Sequence, residues 1–263
     1  MKTLITPKKA KQILVSNTKN RKIKFRHVTF LANQMLSGCW VYNGQSIVVS
    51  NNGILVDGQH RLLAIIESGT TIETELIEGV DYDEAFSTID TGVVRSPSDV
   101  LAMRGYRNAP LLAAAIKILI TYDATTDKSG FAISGVKITN DNILDKTEKV
   151  LDLMGSEKLD VIFGNIQKYG GSSVDLFVAM VLYRNSRGKT MQFFNDISLG
   201  LFNNENDPLK RYREYIQSTK LKKRDAKEKT QTVSNLFKSW NLYNAGGTIT
   251  FLRKSKFVTV PQF

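Results

Sequence analysis

The strongest constraint on the fold is a short apolar run that leads through a polar turn directly into helical periodicity. Ile54–Val56 is apolar throughout, which is typical of the end of a buried strand, and the apolar residues of Leu62–Ile66 recur at helical spacing. Gly69 is a suitable end for that helix. The five residues between them, Asp57–Arg61, include no large apolar side chain. This stretch therefore predicts a strand followed almost at once by the N-terminus of a helix.

The polar turn has the chemistry of an anion site. Backbone N–H groups and the helix dipole favour negative charge at a helix N-terminus. His60 adds an imidazole, Arg61 adds a guanidinium suited to bidentate contact with phosphate, and Gly58 allows close approach to the backbone. These residues predict a phosphate cradle with the carboxylate of Asp57 at its edge. An ordinary turn, in which Asp57 caps the helix and Arg61 pairs with a surface acid, fits the same residues.

The residues around the turn predict a small mixed sheet with helices packed against it. Thr6 and Pro7 have the chemistry of an N-cap and a first helical residue. Asn51–Gly53 tolerates the positive φ angles that a hairpin turn needs. The expected elements are helices at 7–16, 26–37 and 83–89 and strands at 46–50, 54–57 and 70–79.

A second polar turn follows this sheet. Asp90, Thr91, Arg95 and Ser96 place an acid, two hydroxyls and a guanidinium close together in sequence. Ser96 or Ser98 can cap the next helix, because a proline suited to its first turn lies between them. The turn could face the first one and hold another part of the same polyanion. Alternatively, Asp90 and Arg95 simply tie the turn together.

The rest of the chain reads as almost wholly helical. The apolar run Leu111–Ile120 predicts a buried helix within 101–122, and the polar segment 123–130 is a linker candidate. We therefore expect an α+β protein with domains at 1–125 and 131–263, the second mainly α-helical. The helices expected after the linker lie at 141–153, 157–169, 174–185, 189–198 and 208–220, with one more continuing through 240–243 and a strand-like tail at 248–260.

The charge of the chain favours a polyanionic partner. Its formal net charge is +11 and its pI is about 9.6, which attracts DNA, RNA or nucleotides. One basic run could neutralise several DNA phosphates, although a solvated helix face with i,i+4 ion pairs would carry similar residues. The residues of this candidate DNA-binding run are Lys220, Lys222, Lys223, Arg224 and Lys227.

Several classes of protein do not fit the sequence. No window approaches the 18 or more consecutive apolar residues of a membrane span, and the N-terminal residues lack the apolar core of a signal peptide. Cys39 is the only cysteine, so an internal disulfide is excluded, and with two histidines a structural zinc site is disfavoured. We expect a cytoplasmic protein with no membrane partner. The oligomeric state stays open, a homodimer included.

The motif Asp-Gly-Gln-His-Arg at 57–61, followed by Leu62 and Ala64, resembles the central motif of the ParB/sulfiredoxin superfamily. The likeness is closer to the ParB-like proteins of bacteria, prophages and phages. The hairpin before the motif, Gly38–Trp40 upstream, and 86–96 downstream fit the same pattern. The resemblance covers about residues 1–125 and implies that they adopt the superfamily fold.

The resemblance implies nucleotide chemistry, because the superfamily includes CTP-binding partition proteins, ATP-using sulfiredoxins and a free-serine kinase. Sulfiredoxin chemistry needs a cysteine where this chain has Gln59. A helix-turn-helix of the partition type has no convincing signature within 130–220. What remains is binding of CTP or ATP with Mg²⁺, with slow hydrolysis coupled to action on DNA.

The chemistry of the two polar turns, together with the net charge of +11, gives individual residues expected roles. Asp57, His60 and Asp90 are the catalytic candidates, and Asp57 is the candidate metal ligand. Two alternatives stay open. One is a small-molecule phosphotransferase with Asp57 as general base, and the other is a non-catalytic DNA-binding or adaptor protein. The residues expected to bind the nucleotide phosphates are Gly58, Gln59, His60, Arg61, Thr91, Arg95 and Ser96.

Overall fold

The chain forms two compact units, Met1–Val93 and Val94–Phe263, in the computed structural model. Most of the helix expected at 83–89, and four of the five residues of the expected DNA-binding run, lie outside the residues that the structure describes. Those described residues are 2–17, 20, 22–82, 84–85, 95–133, 138–219, 225–253 and 255–263.

The first unit is built on a four-stranded mixed sheet with the strand order β1-β4-β2-β3. β1 pairs antiparallel with β4, β2 pairs antiparallel with β3, and β2 runs parallel to β4. The three strands expected from the sequence are confirmed, and β1 is an additional strand. The strands are β1 Lys2–Ile5, β2 Ser46–Ser50, β3 Leu55–Asp57 and β4 Ile72–Val80.

The expected hairpin between β2 and β3 is confirmed, and its strands contain a bulge. The Ser50 amide donates to the Ile54 carbonyl at 2.9 Å, which closes the hairpin loop. Val48 pairs with Asp57 but Val49 pairs with Leu55, so Val56 is an extra residue on β3. Because of the bulge, Leu55 and Val56 are both buried although they are consecutive in the sequence.

Three helices pack around this sheet: α1 Pro7–Leu14, α2 Phe25–Leu36 and α3 Gln59–Ser68. Each was expected from the sequence, and the side chain of Thr6 caps α1 by accepting from the Lys9 amide at 3.1 Å. α3 packs against both α1 and α2. The buried apolar side chains of the unit come from all three helices and the strands; they include Ile5, Val28, Ala32, Met35, Ile47, Leu55, Leu62, Ile65 and Ile72.

The described part of the second unit consists mainly of α-helices, as expected. At its centre lies one helix, α8, whose residues from Val174 to Tyr183 are all buried. None of the described helices combines the length and apolarity needed to cross a membrane. The helices are α4 Pro97–Met103, α5 Ala109–Ala124, α6 Asn140–Met154, α7 Ser156–Tyr169, α8 Ser173–Asn185, α9 Arg187–Leu199, α10 Pro208–Thr219 and α11 Ala226–Asn244.

The boundary between the units differs from the one expected at 125–131. α5 packs against α6 and α8, so the apolar helix expected in the first domain supplies core to the second unit. The linker candidate forms a tight connection. The ammonium group of Lys128 donates to the carbonyls of Tyr122 and Thr125, which satisfies acceptors at the C-terminal end of α5.

The described residues of the tail expected to be strand-like form no strand. We call residues 255–262 the C-terminal strap, because side chains of α11 hold their backbone. The Ser255 amide donates to Gln231 at 3.0 Å and the Thr259 amide donates to Ser234 at 2.9 Å. These bonds replace the pairing that a neighbouring strand would supply.

Candidate functional site

The predicted passage from strand through polar turn into helix is confirmed. β3 ends at Asp57, and Gly58 is the N-cap of α3 with φ 105°, in the left-handed region. A Cβ atom at Gly58 would lie 3.0 Å from Cγ1 of Ile47 and 3.4 Å from its Cα. Glycine is therefore required both for the backbone conformation and because β2 passes close by. The group that lies close to Gly58 is therefore Ile47 of the sheet.

Asp57 and Arg61 meet across the first turn of α3. Nη2 of Arg61 lies 2.8 Å from Oδ2 of Asp57. The Arg61 side chain is 10% exposed and the Asp57 side chain is 28% exposed. Asp57 does not cap the helix, since no side-chain bond caps α3. The carboxylate and the guanidinium, which the sequence suggested as separate parts of an anion site, thus neutralise each other at the start of the helix.

Gln59 and His60 are buried and tie the start of α3 to its neighbours. Both residues are less than 10% exposed. Nε2 of His60 accepts from the backbone amide of Lys24 at 3.0 Å, just before α2. An imidazole that accepts at Nε2 carries its proton on Nδ1. The Gln59 side-chain oxygen accepts from Asn17 at 3.3 Å, in the segment after α1.

Polar residues from elsewhere in the first unit also surround this turn. Nδ2 of Asn20 donates to the Leu55 carbonyl at 2.6 Å and to Oδ1 of Asn17 at 2.7 Å. The ring of His27 lies 5.4 Å from that of His60, centroid to centroid. Asparagines in a short polar loop are common, so their sequence carries no signal that would single them out.

The expected metal ligand, Asp57, belongs to no cluster of metal-binding side chains among the described residues. Among them, no group of three or more His, Cys, Asp and Glu side chains is placed to bind one. Asp57, the expected Mg²⁺ ligand, already has the positive charge of Arg61 beside it. Because Mg²⁺ takes hard oxygen ligands in octahedral geometry, a single neutralised carboxylate is a poor protein site for it.

The second polar turn is described only in part. Asp90 and Thr91 lie outside the described residues. Ser96 caps α4 in a capping box with Asp99, whose amide donates to the Ser96 hydroxyl at 3.3 Å. Hydrogen bonds from Ser96 lower the pKa of the Asp99 carboxyl below its ordinary value. Arg95 is exposed, and its carbonyl accepts from the side chain of Asn140 at 3.2 Å.

Of the expected DNA-binding run, the structure describes Lys227 alone. It is exposed in the first turn of α11. That helix begins with a capping box in which the Glu228 amide donates to Asp225 at 2.8 Å. The other members, Lys220, Lys222, Lys223 and Arg224, lie outside the described residues.

Comparison with protein-family models finds no match for this chain. The comparisons with curated proteins and with solved structures find none either. No matched protein therefore indicates a function for this chain.

Proposed function

We propose that the first unit binds the phosphate groups of CTP or ATP at the N-terminus of α3, in a ParB/sulfiredoxin-like arrangement, and that the protein acts with DNA. The observation that carries the proposal is the turn itself. Gly58 follows β3 in a left-handed conformation, and α3 begins with Arg61 in its first turn. A helix N-terminus with a guanidinium in its first turn attracts phosphate by its dipole and by charge.

The ion pair between Arg61 and Asp57 gives this binding a mechanism. An incoming phosphate competes with the Asp57 carboxylate for the guanidinium 2.8 Å away. Once displaced, the Asp57 side chain would lie beside the phosphates, where it can orient a water molecule or accept a proton. His60, which carries its proton on Nδ1, can donate a hydrogen bond to a phosphate oxygen. Mg²⁺ would enter with the triphosphate.

A second function is favoured by the burial of the same residues. Gln59, His60 and Arg61 are each less than 10% exposed and have partners within the first unit. In a non-catalytic DNA-binding or adaptor protein, these bonds would simply join α3 to the segments around it. The phosphotransferase alternative uses the same Asp57 and differs from hydrolysis in its product, a phosphorylated alcohol.

Thermal unfolding with CTP, ATP, GTP and UTP, with and without Mg²⁺, tests the proposal. A nucleotide at 100 times its Kd stabilises the folded state by about 2.7 kcal/mol, so the Tm must rise. Arg61→Lys keeps the charge but removes the planar donor fork, and it should reduce that rise. Arg107→Lys is the matched control, because Arg107 is an exposed arginine of the second unit, paired with Asp160 at 3.2 Å.

The two functions give opposite results in this experiment. A nucleotide-dependent rise in Tm that Arg61→Lys diminishes and Arg107→Lys leaves unchanged supports nucleotide binding. If no nucleotide changes the Tm although the protein binds DNA, the second function is the correct one. Where a nucleotide does bind, release of inorganic phosphate and phosphorylation of added alcohols separate hydrolysis from transfer.

A further inference from the structure

A basic groove lies in the second unit, whereas the nucleotide site proposed above belongs to the first. It has a volume of ≈ 410 Å³ and is formed by the first turns of α11, the segment 129–133 and the C-terminal strap. Lys227 and Lys256 supply its charge, and Phe257, which is exposed, supplies its aromatic surface. None of the described residues that line the groove is acidic. Sites for small molecules span about 300–1,000 Å³, so a groove of this size admits a nucleotide-sized group but not a duplex.

A smaller cavity extends the positive charge beyond the groove. It measures ≈ 190 Å³, and Ile133 lines both it and the groove. Lys117 and Lys229 line it, and again its described lining includes no acid. Two cavities that are both lined by Ile133 thus carry lysines. The nearest acids of that helix, Asp225 and Glu228, are bonded to each other's backbone in the capping box.

The strap presents one cation and one aromatic ring in a fixed place. Hydrogen bonds on both sides anchor it, from the Ser255 amide to Gln231 at 3.0 Å and from the Val258 amide to the Ser129 carbonyl at 2.8 Å. Between these anchors, Phe257 is 59% exposed and Nζ of Lys256 lies 5.6 Å from its ring centroid. An exposed ring on an anchored backbone loses little freedom when a ligand covers it.

The polar groups of the groove are engaged within the protein. The Thr230 hydroxyl accepts from the Ile133 amide at 3.0 Å, and the Ser234 hydroxyl accepts from the Thr259 amide at 2.9 Å. The groove therefore offers positive charge and the exposed ring of Phe257 more than hydrogen bonds that would identify a base. Proteins that bind single strands without sequence preference use the same combination, because every base has a face that can stack.

We infer that this groove binds single-stranded nucleic acid. A base stacks on Phe257, Lys227 and Lys256 contact its flanking phosphates, and the strand continues toward Lys117 and Lys229. The inference deepens the DNA-related part of the proposed function, on which it rests, by giving the nucleic acid a place and a strand class. It does not require nucleotide binding by the first unit.

Fluorescence anisotropy with labelled oligo-dT, about 15 nucleotides long so that it fills one binding site, tests the inference. Phe257→Ala should weaken binding about fivefold or more through lost stacking, and Phe257→Trp should retain it. Lys227→Gln with Lys256→Gln should reduce the slope of log K against log salt by about 1.4, since each phosphate contact on a single strand contributes about 0.7. The matched duplex should bind more weakly.

Control variants separate the groove from general charge. Lys158→Gln with Lys168→Gln removes two exposed lysines from α7 of the same unit, and Phe25→Ala removes a ring that is 73% exposed in the first unit. Both should leave oligo-dT binding unchanged. Equal losses from the two lysine pairs, or duplex binding as tight as single-strand binding, would overturn the inference. Oligo-dT binding that persists in Arg61→Lys shows that the groove acts even if nucleotide binding fails.

Discussion

Arg61 and Asp57 join a helix to the strand before it, since Nη2 of the arginine lies 2.8 Å from Oδ2 of the aspartate across the turn. The guanidinium is almost covered, with its side chain 10% exposed. The pair therefore holds the start of α3 against the end of β3, whatever ligand the turn binds. Its contribution to stability is separable from its contribution to ligand binding.

Asp57→Asn should lower the free energy of unfolding by about 1–3 kcal/mol, because it removes the carboxylate from a mostly buried guanidinium. The double variant with Arg61→Gln should lose less than the sum of the single losses. Urea unfolding of the nucleotide-free protein measures these differences. Glu73→Gln, which breaks the exposed ion pair with Lys2, is the control and should cost less than about 1 kcal/mol. Equal losses from Asp57→Asn and Glu73→Gln would contradict the role of the pair.

Gly58→Ala should destabilise the first unit by about 2–3 kcal/mol. A left-handed conformation costs a non-glycine residue about 1 kcal/mol or more, and the new Cβ would also lie 3.0 Å from Ile47. Gly69→Ala isolates the conformational part, because Gly69 has φ 67° but no neighbouring atom lies within 4 Å of the place where its Cβ would be. Chemical unfolding should show a larger loss of stability for Gly58→Ala than for Gly69→Ala. The reverse order would show that Ile47 can move away from the new Cβ at little cost.

Asp123 predicts an acid-sensitive contribution to stability in the second unit. Partial burial opposes its ionisation, but hydrogen bonds from Arg184 and Lys146 and their charges outweigh it and lower its pKa below the ordinary 3.8. A folded pKa below the unfolded one adds stability above the unfolded value, and that stability is lost as pH falls through the folded value. Asp123→Asn should therefore cost about 1–2 kcal/mol at pH 7, and the difference should shrink below pH ~4. Unfolding curves across this range measure it; a constant difference would refute the link.

Removing a tyrosine hydroxyl that bonds to the buried carboxylate of Asp175 should cost more stability than removing a tyrosine hydroxyl elsewhere. Asp175 is 0% exposed and accepts from the hydroxyls of Tyr169 at 2.9 Å and Tyr212 at 2.6 Å. Burial and the Asp175 charge raise the pKa of Tyr169 well above its ordinary value, so its hydroxyl stays protonated as a donor. Tyr212→Phe should cost about 1.5–3 kcal/mol. Tyr243→Phe, at a half-buried tyrosine bonded to Asp196, should cost less. Thermal unfolding measures both losses, and a larger loss from Tyr243→Phe would contradict the prediction.

Local signals were sufficient to predict most elements of the fold. Such signals act within a few residues, and the structure has three of them as expected: the helix cap at Thr6, the hairpin turn at Asn51–Gly53 and the helix end at Gly69. β1 was missed because a four-residue strand has almost no pattern of its own and forms by pairing with β4. The unit boundary also differed, because an apolar helix such as α5 indicates burial but not against which partners.

The candidate site was predictable in position but not in its contacts. The polar turn before α3 is a local pattern, so Asp57–Arg61 could be located from the sequence. That Arg61 would bond to Asp57 itself, and that the Lys24 amide would meet His60, depends on how distant segments pack. The groove beside α11 needs three separate segments together, and no single stretch of sequence indicates it.

β1 and β2 both pair with β4, a strand that is synthesised after them. Lys2 pairs with Glu75 and Ile5 with Ile72, so β1 leaves the ribosome well before its neighbour, which emerges only after the hairpin and α3. β2 likewise depends on β4 for its parallel edge. Such non-local pairing slows assembly and leaves early segments exposed in the meantime. Nascent chains halted before Ile72 should therefore be open to proteases and in need of a chaperone's protection.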